Sequence, residues 1–366
     1  MNLFAKPSPV RERHHPRKFR LQWHINESCN LRCRHCYQEG YDSADPSLDE
    51  LLDMLHLFAK FLNRWKTTEG DTGAHINITG GEPFLREDIF DFLEILNKDF
   101  RSLFSFGILT NGTLIDEKSA NRIKEVHTGF VQVSIEGTED THDSIRGRGS
   151  FQKAVNGLKC LIKAGVPSLI SFTANRENFR EFESVAKLGK KLGVSRVWAD
   201  RMIPYGCGKD MGDTTLTPDE TMEFFRIMAK SGRKSFLSMG SHTEIQMCRA
   251  LQFLAGGGTP YSCSAGDTLV TIMHNGEFLP CRRMPIPVGN LKQQSFEDLY
   301  YNNEMMKTLR DRNRVSKGCE NCRFQPACRG GLRCLSYAVN GDPFTADPGC
   351  PLAARQGETS ETVKPA

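Results

Sequence analysis

From about residue 20 to about residue 235 the sequence changes period again and again, from alternating apolar residues to helical spacing and back. The short β-like runs are "RLQWHIN" (20–26), "HINIT" (75–79), "LFSFGILTN" (103–111), "FVQVSIEG" (130–137), "SLISFTAN" (168–175) and "SRVWADRMIP" (195–204). Helical spacing fills 45–65, 86–100, 115–126, 151–165, 179–192 and 217–232. Ser47 with Glu50 three residues on reads as a capping box, and Thr217-Pro218 as a helix start. Strands separated by helices imply parallel pairing through right-handed crossovers. Six such units make either a doubly wound sheet or an incomplete (β/α) barrel. Both place their chemistry at the C-terminal ends of the strands.

After residue 235 the texture changes. "TLVTIMHNGEFLPC" reads as a hairpin around Asn275-Gly276, and 295–313 as one helix. The rest is rich in cysteine, glycine and proline, with little apolar material to bury. Such a segment is expected to need metal to hold it. The chain therefore divides into an N-terminal extension (1–17), a β/α domain (18–235), a small cysteine-rich domain (236–352) and a disordered tail (353–366).

The cysteines bear on what that metal is. The 366 residues carry a formal charge of only +4, which gives no reason to invoke nucleic acid or membrane. No apolar run nears the ~20 residues of a membrane span. The first twenty residues are basic and polar, with no secretory core, so a cytoplasmic location is expected. Thirteen cysteines in such a chain point to metal before disulfides. Cys29, Cys33 and Cys36 lie just after the first strand, spaced C-x3-C-x2-C. A structural zinc or a cubane iron–sulfur cluster takes four ligands. Three thiolates can hold three irons of a 4Fe–4S cluster and leave the fourth open to a small molecule; the alternative is a zinc site completed by His24 or His35. One β/α unit later comes "TGGEP" (79–83), where two glycines allow close approach to a ligand and Glu82 offers a carboxylate to an ammonium; the alternative is an ordinary β–α turn.

Together, C-x3-C-x2-C after the first strand and GGEP after the second resemble the radical SAM (S-adenosylmethionine) superfamily. The resemblance covers roughly residues 18–235 and implies a TIM-like partial (β/α)6 barrel. It implies that Cys29, Cys33 and Cys36 ligate a 4Fe–4S cluster whose open iron binds S-adenosylmethionine, with Tyr37 beside it. The backbone of Gly80, Gly81 and Glu82 would hold the amino group. "VSIEGTEDTHDSIRGRGSF" (133–151) and "LTNGT" (109–113) resemble further cofactor-binding segments. Ser134 would then meet the ribose and Arg146 the methionyl carboxylate; Glu136 stands where the family usually has Asp. The C-terminal cysteines resemble the SPASM extension, which carries one or two auxiliary iron–sulfur clusters. By that likeness one cluster uses Cys319, Cys322, Cys328 and Cys350. The other uses Cys263, Cys281 and Cys334, which replaces the family's usual cysteine at Leu332. Its fourth ligand is Cys248 or a site open to substrate. Cys160 reads as core. Cys207, just past the sixth strand, is a candidate hydrogen-atom donor or substrate contact, and Asp200 and Arg201 are candidates for the substrate cavity.

The resemblance further implies reductive cleavage of S-adenosylmethionine to a 5′-deoxyadenosyl radical, with electrons from a flavodoxin- or ferredoxin-type donor. Enzymes with this extension act mostly on peptides or proteins, so a maturase forming thioether or carbon–carbon cross-links or epimers is expected. The alternatives are cofactor biosynthesis on a quinone or tetrapyrrole precursor, sulfatase maturation or, from another class, an iron–sulfur electron carrier. Because the first strand begins near residue 20, leader recognition is expected to fall to a separate protein or to another surface of the chain.

Overall fold

Parallel pairing of the six expected strands is what the computed structural model shows; it describes residues 18–70, 73–233 and 242–353. The strands are β1 (Phe19–His24), β2 (Ala74–Thr79), β3 (Ser105–Thr110), β4 (Val131–Ser134), β5 (Ser168–Ala174) and β6 (Arg196–Arg201). A short β7 (Glu244–Gln246) follows β6, and β8 (Leu269–Ile272), β9 (Glu277–Leu279) and β10 (Gly289–Asn290) lie beyond. They form one sheet in the order β10-β9-β8-β1-β2-β3-β4-β5-β6-β7. All neighbours from β8 through β1 to β7 are parallel; β8–β9 and β9–β10 are antiparallel. Of the two arrangements the alternation allowed, this is the partial barrel that the resemblance implied, followed by a cysteine-rich extension.

The crossover helices cover the outer face: α1 (Leu48–Glu69), α2 (Ile89–Asp99), α3 (Glu117–Glu125), α4 (Glu139–Arg146), α5 (Ser150–Lys163), α6 (Phe182–Leu192) and α7 (Pro218–Gly232). The capping boxes of α1 (Ser47, Glu50) and α7 (Thr217, Glu220) are both closed, each satisfying N–H groups the helix itself cannot. Strand alternation sorts the side chains. Phe19 and Trp23 of β1 face outward, onto Phe61 and Trp65 of α1 and Phe92 of α2. Phe172 of β5 meets Phe182 and Phe224 in the same layer. The other set faces the lumen and is mostly polar: Gln22 and His24, Asn77, Gln132 and Ser134, Ser171 and Thr173, and Asp200, with Leu109, Leu169 and Trp198 as apolar members. Two cross-strand contacts fix this assignment. Trp198 Nε1 donates to Gln132 Oε1 at 2.9 Å, and the Ser134 and Ser171 hydroxyls lie 3.4 Å apart.

The C-terminal half departs from expectation. It does not rely on metal alone, because its apolar residues enter the barrel's own core. Through β8 it adds a strand beside β1. Phe296 stacks on Phe61 with ring centroids 4.3 Å apart, and Tyr300 lies edge-on to Trp65 at 5.7 Å. The expected boundary at 235 is thus crossed by one sheet. The expected single helix over 295–313 is broken: a π turn at Asp298–Asn302 ends at Asn303, whose extended backbone and side-chain cap to Met305 N–H start a new helix at Glu304–Arg310. The helix Glu139–Arg146 and the 3-10 turn Gly206–Thr214 had no sequence expectation of their own. The expectations for 1–17 and for most of the tail lie outside the described residues.

Candidate active site

The loop after β1 and the loop after β2 are joined backbone to backbone. Gly81 N–H donates to Asn26 C=O at 3.1 Å and Glu82 N–H to Ser28 C=O at 2.8 Å. A Cβ at Gly80 would overlap Asn26, and one at Gly81 would overlap Ser28, so only glycine allows the approach. The third loop completes the contact: Asn111 Nδ2 donates to Asn30 Oδ1 at 2.9 Å. The Glu82 carboxylate does not offer itself to a ligand's ammonium. It is fully buried and accepts from Thr110 Oγ1 (2.7 Å), Asn111 N–H (2.8 Å) and Phe84 N–H (3.2 Å). Burial pushes its carboxyl up, against those hydrogen bonds and the Arg146 charge.

Cys29, Cys33 and Cys36 come together on this floor, each thiol within the electrostatic reach of the others. Burial pushes the Cys33 thiol to about 11, although Arg146 pulls the other way. The Arg146 guanidinium stands 3.7 Å from Cys33 Sγ and is gripped by Glu136, with Nε to Oε1 at 3.0 Å. Glu136 is 0% exposed; His35 lies 3.2 Å from it and Thr173 N–H donates to it at 2.7 Å. Burial would raise its carboxyl, but Arg146 and then His35 outweigh burial and hold it at about 2. Neither histidine of the zinc alternative joins the three thiols: His35 is against Glu136, and His24 faces Arg282 and His274. Ser134 faces the lumen as expected.

Tyr37 reaches from this loop toward the extension. Its carbonyl accepts from Arg282 Nη2 at 2.9 Å, and its phenol is pushed up by burial, with Cys334 and Asp200 adding to it and Arg283 opposing. There Cys263, Cys281 and Cys334 form a second group. Burial raises Cys281 and Cys334, and Cys263 acts on both. The charges acting on Cys248 are those of Arg249, Asp200, Arg20 and Arg196. A third group, Cys319, Cys322, Cys328 and Cys350, lines a small cavity walled by Leu251, Phe253, Leu254 and Phe324. Burial pushes Cys319 and Cys328 to about 12, with Cys350 adding to both. All thirteen cysteines are free thiols. Three groups of unpaired thiols, buried or half-buried, have the donor chemistry of iron–sulfur sites, since iron would bind them as thiolates and release their protons.

Of the other candidates, Cys207 donates its S–H to the Gln38 carbonyl at 2.9 Å and lies 3.9 Å from Tyr41 OH. Cys160 is half-buried on α5, packed against the core. Asp200 faces the lumen and binds Arg283 at 2.7 Å. Arg201 points the other way and is not in the cavity; it is 2% exposed and pairs with Asp347. Arg282, Arg283 and Arg249 were missed from the sequence. The signal was present in the arginines that immediately follow Cys248 and Cys281.

Comparison with known proteins agrees with this geometry. The radical SAM superfamily model matches residues 23–189, and the SPASM iron–sulfur cluster-binding domain matches 263–323. The chain belongs to the radical SAM superfamily and carries a SPASM extension; it is an enzyme that uses S-adenosylmethionine and 4Fe–4S clusters. The AdoMet-dependent heme synthase of Nitratidesulfovibrio vulgaris is 25% identical over 356 residues, 92% of this chain and 93% of that one. The mycofactocin maturase MftC of Mycobacterium tuberculosis is 26% identical, covering 90% of this chain and 82% of its own. Among solved structures, anSMEcpe with bound AdoMet and a peptide superposes with a TM-score of 0.72 at 20% identity, covering 93% of this chain and 96% of that one, which shows the shared fold. No helix among the described residues is long and apolar enough to cross a membrane.

Proposed function

We propose that this enzyme modifies a peptide or protein substrate bound in the barrel lumen. Cys29, Cys33 and Cys36 would hold the S-adenosylmethionine cluster. Cys263, Cys281 and Cys334 would hold one auxiliary cluster, and Cys319, Cys322, Cys328 and Cys350 a second. With the reduced cluster and S-adenosylmethionine bound, these groups supply a 5′-deoxyadenosyl radical able to take hydrogen from an unactivated carbon. The chain's own residues do the rest. The Gly80–Gly81 backbone and Ser134 position the cofactor, and Arg146, held by Glu136, sets a positive charge beside it. Cys207 stands near the same floor as a hydrogen-atom donor.

The observation that carries the peptide reading is the lumen's chemistry. Gln22, Asn77, Gln132, Ser134, Ser171 and Thr173 present amides and hydroxyls where a peptide backbone would need partners. The maturase relative at 26% identity is consistent with this reading. A second reading, a carboxylate-bearing tetrapyrrole, is favoured by the heme synthase relatives and by two arginines at the lumen, Arg249 and Arg282, whose buried Nε atoms have no partner.

The test is anaerobic reconstitution with iron, sulfide, S-adenosylmethionine and dithionite. Formation of 5′-deoxyadenosine, faster with a precursor peptide encoded beside this gene and matched by a mass change in it, is the expected result. Turnover of an iron coproporphyrin and not of the peptide would establish the second reading. No 5′-deoxyadenosine with any substrate would sink both.

A further inference from the structure

The last two residues of β6 carry opposite charges and point to opposite sides of the strand. Asp200 faces the lumen and Arg201 the helix layer, and each is buried: 6% and 2% exposed. Asp200 Oδ1 accepts the Arg201 N–H at 3.0 Å, but the ion-pair partner of each residue lies outside their own β/α unit. Asp200 Oδ2 takes Arg283 Nη1 at 2.7 Å, from the turn that carries Cys281. Arg201 takes Asp347 through a two-pronged contact, Nη1 to Oδ1 at 2.7 Å and Nη2 to Oδ2 at 2.6 Å, from the turn that carries Cys350.

Each partner lies on a turn that carries a thiol of one group, Arg283 two residues after Cys281 and Asp347 three before Cys350, although the Arg201 charge also reaches Cys334. The Arg283 charge acts on Cys281 and Cys334. The Asp347 charge acts on Cys319, Cys328 and Cys350. Asp347 also fixes the backbone around that group. Its carboxylate accepts from Leu332 N–H at 2.8 Å and from Gly349 N–H at 2.9 Å, and its carbonyl accepts from Cys350 N–H at 2.9 Å. A Cβ at Gly349 would run into the Arg201 guanidinium, so the glycine of "DPGC" is required by this contact. A bidentate arginine–carboxylate pair specifies direction as well as distance, which a single surface ion pair does not.

We propose that Asp200 and Arg201 are positioning residues that set the two auxiliary sites separately: Asp200, through Arg283, orients the Cys263/Cys281/Cys334 site, and Arg201, through Asp347, orients the Cys319/Cys322/Cys328/Cys350 site. One strand end thereby fixes both sites against the barrel that holds the substrate. The inference rests on the cluster assignment proposed above.

The experiment compares full-length reconstituted wild type with Asp200→Asn, Arg201→Lys and Asp347→Asn. Wild type should hold about twelve irons per chain. Arg201→Lys and Asp347→Asn should each fall to about eight, and both should lose the same component of the low-temperature electron paramagnetic resonance spectrum. Asp200→Asn should alter a different component and leave that one in place. Alkylation of the metal-free chains, mapped by mass spectrometry, gives a readout independent of iron. Labelling should rise at Cys319, Cys322, Cys328 and Cys350 in the first two variants, and at Cys263, Cys281 and Cys334 in Asp200→Asn. A wild type with only four irons overturns the cluster assignment and not the clamp, which the labelling pattern still decides. Variants that disturb both thiol groups alike, or neither, overturn the clamp.

Discussion

Glu136 shows how one extra methylene changes a residue's task. It stands where the resembling family usually has Asp, and the longer side chain lies fully buried between Arg146, His35 and the Thr173 backbone. Removing the charge leaves Arg146, whose side chain is 12% exposed, without its counter-ion, a change that typically costs about 3–5 kcal/mol for a fully buried pair. Glu136→Gln should therefore lower the stability of the metal-free chain by about that much, read from urea titration; an unchanged midpoint would remove Glu136 from the network. His142 supports the same residue differently: its Nδ1 accepts the Glu136 backbone N–H at 3.1 Å, which demands an unprotonated ring. Burial, then Arg146, lowers its pKa to about 4. The unfolded chain takes that proton near pH 6.5 and the folded chain only near 4. Stability from this group is thus complete above 6.5 and is lost as pH falls toward 4, by on the order of 3 kcal/mol. His142→Asn, which keeps an acceptor but cannot titrate, should show a smaller loss of urea stability between pH 7 and pH 4.5 than wild type. An equal loss in both would assign the pH dependence elsewhere.

The elements whose identity depends on local period were legible from the sequence, and those that depend on distant partners were not. β1 to β6 and their helices follow from alternation and caps such as Ser47–Glu50, which act within a few residues. The loops bearing Cys29, Cys33, Cys36 and Gly80–Glu82 were legible for the same reason, because each directly follows a strand. The helix Glu139–Arg146 was hidden by its composition: seven of its eight residues are polar or charged, and only His142 and Ile145 are buried. The β8–β1 pairing joins residues some 250 positions apart, so no local pattern announces it. Phe296 makes the energetic side of that pairing testable. Its ring meets Phe61, Phe58, Phe19 and Phe278 and is 0% exposed. Phe296→Ala should cost about 3–5 kcal/mol and lower the thermal midpoint of the whole chain, barrel included. A variant that melts in two steps, with the barrel unaffected, would show that the two halves do not share a core.

At the scale of the molecule, the extension is anchored twice by different physics. Residues 269–310 are held by burial against α1 and by a strand beside β1, whereas 316–350 bring four thiols around a small cavity and lean on the Arg201–Asp347 pair. Burying apolar area does not depend on metal, but turns whose cysteines serve as ligands lose that tie without it. Metal removal should therefore be local. In hydrogen exchange on the chelator-treated full chain, amides of β1, β8 and β9 should keep the protection they have in the reconstituted enzyme. Amides around Cys319–Cys328 and at Cys350 should lose theirs. The backbone bonds from Cys322 N–H to Cys319 C=O (3.1 Å) and from Ala346 N–H to Lys317 C=O (2.8 Å) are the reporters to follow. Loss of protection at β8 together with the cysteine turns would mean that the clusters, and not the shared aromatic core, hold the extension to the barrel. Protection kept at every one of these amides would mean that the thiol groups are positioned without metal, with the charge pairs at the end of β6 sufficient to hold them.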